Sequence, residues 1–335
     1  MLKADGHRCV KEIESLSGAG DVDMPISGCD DAHGLQGTRL PDAALRRWRF
    51  AQMQTAWGRS HACRVALTEA GAVLASATRY RLSGILNGDR IRVCALGDVT
   101  SAADGNPELT RTLVEDVIAD ATDRHGAEVA LLFRCDIHDW HGEAGFQDIT
   151  PPSVELAFPP ARRPGAPMVS VRAGENRDLP AMVAMGQSWF TSFRFHLDRD
   201  VDFVLHTIVR ERLLAGLGTS GAQELQFFVT EEGTVATAYV VLRVCGDVWT
   251  VLQCGDRDPS GARVGAIIQA LIAREPARSS PVVRGWFPTG FTPPQATRVS
   301  VAPSPPTLWA RLLGSRQYES PLTADSSFYW ISDRL

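Results

Sequence analysis

The stretch that decides the fold is RIRVCALGDVTSAADGNPELTRTLVEDVIADATDRHGAEVALLF, residues 90–133. Its beginning, 90–99, predicts a strand, and a polar loop leads to a helix predicted over 108–124, whose apolar residues recur at helical spacing. Gly126 ends that helix. The run VALLF, residues 129–133, has the all-apolar pattern of a buried parallel strand. The centre of the predicted domain is therefore a strand, a helix that begins near the strand's end, and a parallel strand.

Two further strands are predicted before this centre. Residues 63–68 and 72–82 are rich in strand-forming side chains, and the turn Glu69-Ala70-Gly71 separates them. The pair Asn87-Gly88 is a strong hairpin signal and joins the second of these strands to the central one. The order predicts three antiparallel strands, then the helix, then the parallel strand.

The second half of the chain repeats this order. Strands are predicted over 225–230, 234–244 and 248–254, a helix over 264–274, and a strand over 282–286. The turn Glu231-Glu232-Gly233 corresponds to the earlier turn, which gives a repeat of about 160 residues. Additional helices are predicted over 41–53, 178–195 and 201–214.

Composition marks the expected domain limits. Residues 1–38 hold three Lys or Arg against seven Asp or Glu, with many Gly and Ser, and predict a flexible acidic leader. The segment PPARRPGAP, 159–167, predicts a stiff proline-rich linker. We therefore expect one domain over 39–158 and another over 168–335.

Charge and composition exclude several classes of protein. The formal net charge of -5 argues against an obligate nucleic-acid binder, and no apolar run approaches the roughly 18 residues of a membrane span. Charges occupy the place where a signal peptide has its apolar core, and the seven cysteines form no CxxC motif. These features favour a cytoplasmic protein with reduced thiols. Oligomeric state is not indicated by the sequence.

The predicted order of elements resembles the GNAT (GCN5-related N-acetyltransferase) superfamily in its tandem two-domain form. Residues 97–100 (GDVT) match the family's strand end, 109–115 (LTRTLVE) its phosphate-facing helix, and 140–146 (WHGEAGF) its segment ending in Gly-Phe. The resemblance implies an α/β (α+β) fold of two GNAT-like domains, each a mixed, mostly antiparallel sheet flanked by helices. It also implies acetyl-CoA or another acyl-CoA as co-substrate.

In this family a loop of backbone N–H groups at a helix N-terminus binds the pyrophosphate of CoA. The resemblance therefore implies a cofactor-binding set in the first domain, which comprises Val99, Thr100, Gly105, Asn106, Glu108, Leu109, Thr110 and Arg111. The glycine pattern of this loop is degenerate. Pro107 removes one N–H donor, and Glu108 places a carboxylate where phosphate is expected. The corresponding loop before residue 264 has Arg257 and Arg263 and, by charge alone, is the better anion site.

Three residues are the candidate catalytic groups. Asp98 is the candidate general base, and the backbone N–H of Val99 is expected to polarise the thioester carbonyl. The resemblance places His141 where relatives have the tyrosine that protonates the leaving thiolate. It also implies that the terminal carboxylate of Leu335 reaches back to the first domain's site, with Asp333 as a further candidate.

Three functions remain open from the sequence. The first is N-acyl transfer from acyl-CoA to an amine of a small metabolite, amino acid-like or aminoglycoside-like. The second is a GNAT-fold enzyme with another donor, such as aminoacyl-tRNA, and the third is an inactive GNAT-like protein. Carboxylates at Asp98, Asp136, Asp139 and Glu143 suggest an acidic pocket for a cationic acceptor. No metal is expected, although Asp136, His138, Asp139 and His141 lie close together in the sequence.

Overall fold

The computed structural model describes residues 9–13, 42–101, 106–133, 140–159, 170–217, 223–274, 280–288, 290–302, 307–314 and 320–335. The helices are α1 (Asp42–Met53), α2 (Ala56–His61), α3 (Pro107–His125), α4 (Trp140–Glu143), α5 (Leu179–Phe190), α6 (Val201–Leu217) and α7 (Ala262–Arg274). The first eight strands are β1 (Cys9–Ile13), β2 (Ala62–Glu69), β3 (Ala72–Leu86), β4 (Asp89–Ser101), β5 (Val129–Phe133), β6 (Gln147–Asp148), β7 (Ser153–Ala157) and β8 (Val171–Ala173). Those that follow are β9 (Phe195–Leu197), β10 (Glu224–Glu232), β11 (Val235–Cys245), β12 (Val248–Asp256), β13 (Val282–Gly285), β14 (Thr297–Ala302), β15 (Leu308–Leu312) and β16 (Ser327–Phe328).

The strands form two mixed sheets, as the sequence predicts. The first has the order β1-β2-β3-β4-β5-β15-β6, with β9 joined to the end of β3 and to β16. The second has the order β14-β7-β13-β12-β11-β10-β8. In each sheet a helix connects two parallel strands, α3 between β4 and β5 and α7 between β12 and β13. The predicted internal repeat is therefore present.

The sheets exchange strands between the two halves of the chain. β15 follows the second parallel pair in sequence, yet it pairs antiparallel with β5 in the first sheet. β7 precedes the second repeat, yet it pairs antiparallel with β13 in the second sheet. The expected linker lies outside the described residues except for Pro159, and the domain limits stay a prediction. The pairing shows that each sheet draws strands from both sides of that linker.

Three buried clusters hold the layers together. One lies on the α3 face of the first sheet and includes Leu96, Leu132 and Val114. Another lies on the α7 face of the second sheet. The third is shared, because it contains Tyr80 and Leu131 of the first sheet, residues of the second sheet, and parts of α5 and α6. Alternation along the strands explains this division, since neighbouring residues of a strand point to opposite faces.

The ends of α3 follow from its sequence. The Asn106 side chain accepts a hydrogen bond from the Glu108 N–H at 3.0 Å, and Pro107 occupies the first turn. Gly126 closes the helix in the left-handed region, with φ 62°. A cap, a first-turn proline and a terminal glycine are the residues that these positions favour.

Two expectations about local structure are wrong. Residues 9–13, placed by the sequence in a flexible leader, form β1 and pair antiparallel with β2. The helix predicted over 178–195 ends at Phe190, and Phe195 begins β9 instead. The second error arises because Phe195 pairs across the chain with Leu86, a long-range contact that a local pattern does not reveal. The remainder of the leader lies outside the described residues.

Candidate active site

The site begins at an irregularity in β4. The antiparallel register passes from the pair Thr78 and Gly97 to the pair Ser76 and Thr100, so Asp98 and Val99 together oppose one residue of β3. Asp98 has φ 50°, which is in the left-handed region. This β-bulge turns backbone groups of β4 out of the regular ladder.

The same segment of β4 extends past its parallel neighbour. Pairing with β5 ends at Leu96 and Leu132, whereas β4 continues to Ser101. A strand that outruns its partner presents N–H and C=O groups to an incoming ligand. This is the place where the resemblance puts Val99 and Thr100, whose side chains are buried.

Leu335, the last residue of the sequence, lies against this bulge. Its carbonyl oxygen would stand 2.5 Å from a Cβ added to Gly97, so only glycine admits such a close approach. Leu335 is 8% exposed and packs in the shared core. Leu335 therefore lies against the first sheet, at the bulge in β4.

Arg210 holds the end of the chain in place. Arg210 of α6 donates a hydrogen bond to the backbone carbonyl of Arg334, and its guanidinium lies 5.2 Å from the ring centre of Trp48 in α1.

Tyr80 of β3 lies beside Gly97, and its hydroxyl is buried without a hydrogen-bond partner among the described residues. Burial raises the pKa of Tyr80, so this phenol stays protonated and can act as a donor.

Asp98 does not form an acidic pocket. Arg49 of α1 donates to its Oδ1 at 2.9 Å, and Thr78 lies 3.5 Å from its Oδ2. Glu143, the other described carboxylate of the expected pocket, is exposed and pairs with Arg111 at 3.3 Å. Asp136 and Asp139 lie outside the described residues. Among the described residues, the expected acidic pocket is therefore replaced by ion-paired carboxylates.

A polar row next to Asp98 was missed by the sequence reasoning. Arg64 of β2 donates to Thr78 Oγ1 at 2.9 Å and to Ser76 Oγ at 2.7 Å. Ser76 in turn lies 3.2 Å from the hydroxyl of Thr100. The available signal was a single arginine inside the otherwise apolar strand CRVALT, residues 63–68.

The N-terminus of α3 carries the residues of the expected cofactor-binding set from Asn106 to Arg111. Glu108 is exposed, Leu109 is buried, and the Thr110 hydroxyl donates to the Pro107 carbonyl at 2.8 Å. Since Asn106 already accepts from the Glu108 N–H, that donor is not free for a phosphate. Gly105 lies outside the described residues.

His141 lies apart from Leu335. Its ring stacks between Trp140 at 4.3 Å and Trp309 at 4.9 Å, and both tryptophans belong to the α3-face cluster or pack against it. Leu335 packs in the shared core on the other face of the sheet. The structure therefore brings together Asp98, Val99 and Leu335, but it does not place His141 with them.

The N-terminus of α7 is closed by the protein itself. Asp256 accepts hydrogen bonds from the backbone N–H groups of Asp258, Arg263 and Val264. Arg263 pairs with Glu232 at 2.6 Å and with Asp256 at 3.4 Å. The expectation that this loop is the better anion site is wrong, because a buried carboxylate already occupies the position of a bound anion.

Other candidates have structural roles or lie elsewhere. Asp333 accepts from the Trp330 N–H at 3.0 Å and pairs with Arg199 at 3.1 Å, both carboxylate and guanidinium being buried.

A cavity of about 140 Å³ lies near residues 81–83 of β3, away from the bulge. The described residues contain no cluster suited to a metal ion, and His138 lies outside them. None of the described helices is long and apolar enough to cross a membrane.

Solved structures share this architecture. A GCN5-related N-acetyltransferase from Kribbella flavida aligns with a TM-score of 0.59 and 13% identity, covering 91% of this chain and 72% of its own. The chain has the GNAT fold. A probable N-acyltransferase from Enterococcus faecalis V583 aligns with a TM-score of 0.58 and 11% identity over 92% of this chain and 72% of its own. Eis1 from Mycobacterium abscessus aligns with a TM-score of 0.50 and 12% identity, covering 91% of this chain and 74% of its own. No family model and no curated protein matches the sequence.

Proposed function

We propose that the protein is an N-acyltransferase that moves an acyl group from acyl-CoA to the amine of a small molecule. The observation that carries the proposal is the β4 bulge, where Val99 leaves the regular ladder and the carboxyl carbon and oxygen of Leu335 lie against Gly97. A carboxylate at this point can accept the proton that an amine loses as it attacks a thioester. The fold is shared with solved structures named as a probable N-acyltransferase and a GCN5-related N-acetyltransferase, which supports the same reaction class.

The residues at the bulge suit the acyl end of the co-substrate. When bound, acyl-CoA supplies a thioester whose carbonyl accepts the amine. The Val99 N–H donates to that carbonyl oxygen, since the bulge removes Val99 from the regular ladder. The Leu335 carboxylate takes the amine proton, and the Tyr80 hydroxyl donates a proton to the departing sulfur. An amide bond forms, the carbon–sulfur bond breaks, and the products are the N-acyl compound and the thiol.

The residues at the N-terminus of α3 suit a pyrophosphate only in part. The helix dipole and Arg111 favour an anion there, whereas the exposed carboxylate of Glu108 and the Asn106 cap oppose it. The N-terminus of α7 is closed by Asp256, so the proposal assigns the single CoA site to the first sheet.

Acetyl-CoA binding and turnover test the proposal together. Calorimetric titration of the purified chain with acetyl-CoA should give one site per chain. A thiol-release assay with acetyl-CoA and a panel of primary amines should then show amine-dependent release. Addition of two glycines after Leu335 should abolish release because it moves the terminal carboxylate. Absence of both acetyl-CoA binding and amine-dependent thiol release would contradict the proposal.

A further inference from the structure

Arg64 stands out among the charged groups at the bulge. Its guanidinium is partly buried and donates hydrogen bonds to two neutral hydroxyls, those of Thr78 and Ser76. Within the described part of the chain, Arg64 forms no ion pair. Burial lowers the pKa of Arg64, which reflects a charge that has lost water without gaining a counter-ion in contact. Such an arrangement is costly unless an anion completes it.

The nearest carboxylate does not serve as that anion. Asp98 contacts Arg64 only through Thr78, which lies between them, and its Oδ1 accepts from Arg49. Asp98 is therefore already compensated by α1. An incoming carboxylate can displace or share the hydroxyl contacts of Arg64 without breaking a protein ion pair.

The position of Arg64 relative to the bulge sets the size of the ligand. Arg64 pairs in register with Thr78, and Thr78 pairs with Gly97, so the three residues form one row across the sheet. The guanidinium lies at Thr78, one strand from Gly97 and Leu335. Adjacent strands are about 4.8 Å apart. A ligand that contacts both Arg64 and the bulge therefore spans about one strand spacing, which suits a small molecule.

The charges at the two ends are complementary to a zwitterion. A cationic group lies at Arg64 of β2, and the carboxyl group of Leu335 lies against Gly97 of β4, in the same row of the sheet. We propose that the acceptor is an amino acid or a close amino-carboxylate, that Arg64 binds its carboxylate, and that the bulge receives its amine. This inference rests on the proposed function and names its acceptor class. Of the two acceptor classes that the sequence leaves open, it selects the amino acid-like one.

Matched acceptor pairs test the inference. Glycine and glycinamide, and alanine and alaninamide, differ only in the acid group. In the thiol-release assay with saturating acetyl-CoA, kcat/KM should be higher for each acid than for its amide by roughly 10- to 100-fold, the range expected for a charged hydrogen bond. In Arg64→Gln this preference should vanish while the KM for acetyl-CoA stays unchanged. Arg64→Lys should retain part of it, because the charge remains but the forked geometry is lost.

A matched control and a binding measurement make each result decisive. Arg124→Gln removes an arginine from the exposed face of α3 and should keep the acid preference of the parent. Calorimetry with glycine and glycinamide, in the presence of CoA, measures acceptor binding without turnover. Equal or better use of the amides, or acid binding that survives in Arg64→Gln, would overturn the acceptor class and leave acyl transfer standing. Absence of both acetyl-CoA binding and amine-dependent thiol release would instead refute the proposed function.

Discussion

Replacement of Gly97 by alanine should disable the site with little loss of stability. The added Cβ would lie 2.5 Å from the Leu335 carbonyl oxygen and 3.2 Å from its carbonyl carbon, whereas ordinary contact begins at 3.4 Å. Leu335 must therefore retreat by about 0.9 Å. We expect the free energy of unfolding to fall by about 1 kcal/mol, at the low end for overpacking.

The effect on turnover should be much larger than the effect on stability. A misplacement of about 1 Å in a reacting group costs on the order of 100-fold in rate. Gly97→Ala should therefore lower kcat about 100-fold in the thiol-release assay, while the acetyl-CoA Kd changes little, because the new methyl faces Leu335 rather than α3. The melting temperature should fall by no more than about 3 °C.

Gly216→Ala is the matched control. Gly216 lies in the exposed part of α6, and a Cβ there meets no atom within 4 Å. The variant should keep the kcat of the parent and gain slight stability from the better helix former. A Gly97→Ala protein that folds and retains full kcat would refute the assignment of Leu335 as the proton acceptor.

Three further predictions concern the two helix N-termini and α6. Glu108→Gln should tighten acetyl-CoA binding severalfold in calorimetry, because it removes a negative charge at the N-terminus of α3. Asp116→Asn removes the same charge farther along α3 and should not tighten binding. Equal effects of the two substitutions would show that only the net charge matters. Asp256→Ala should cost about 2 kcal/mol in urea unfolding and leave kcat unchanged, because three backbone N–H groups lose their acceptor but no proposed CoA contact is lost. Burial, reinforced by Arg210 and His61, lowers the pKa of His206 from 6.5 to about 3. The unfolded chain therefore binds the extra proton first, and stability should fall as the pH drops from 6.5 toward 3, by up to about 1.4 kcal/mol per pH unit from this group. His206→Gln should flatten that slope in urea unfolding at pH 7, 6 and 5, and an unchanged slope would contradict the burial argument.

Much of each repeat is predictable from local sequence. The strand 129–133 has the predicted bounds, α3 extends one residue beyond its predicted bounds at each end, and Asn87-Gly88 forms the predicted hairpin turn. These features depend on residues close together in the chain, such as a cap, a left-handed glycine or an alternating pattern. The repeated order of strands and helices then follows without knowledge of long-range contacts.

The exchange of β7 and β15 is not predictable in this way. Nothing in the five residues of either strand specifies which sheet receives it, because both sheets offer a buried parallel strand as partner. The role proposed for Arg64 is not predictable for a similar reason. It rests on hydrogen bonds to two neutral hydroxyls and on the absence of an ion pair among the described residues, which are properties of the folded neighbourhood.

The exchange of strands also affects how the protein is made. During synthesis β5 leaves the ribosome well before β15, its neighbour in the finished sheet, since the two are separated by residues 134–307. At about 5–20 residues per second, the nascent chain waits roughly 9 to 35 s before the open edge of VALLF is covered. During that time the most apolar strand of the first sheet lacks one partner. The edge of β5 is therefore covered only after the second half of the chain has been made. A chain interrupted between the halves leaves that edge exposed.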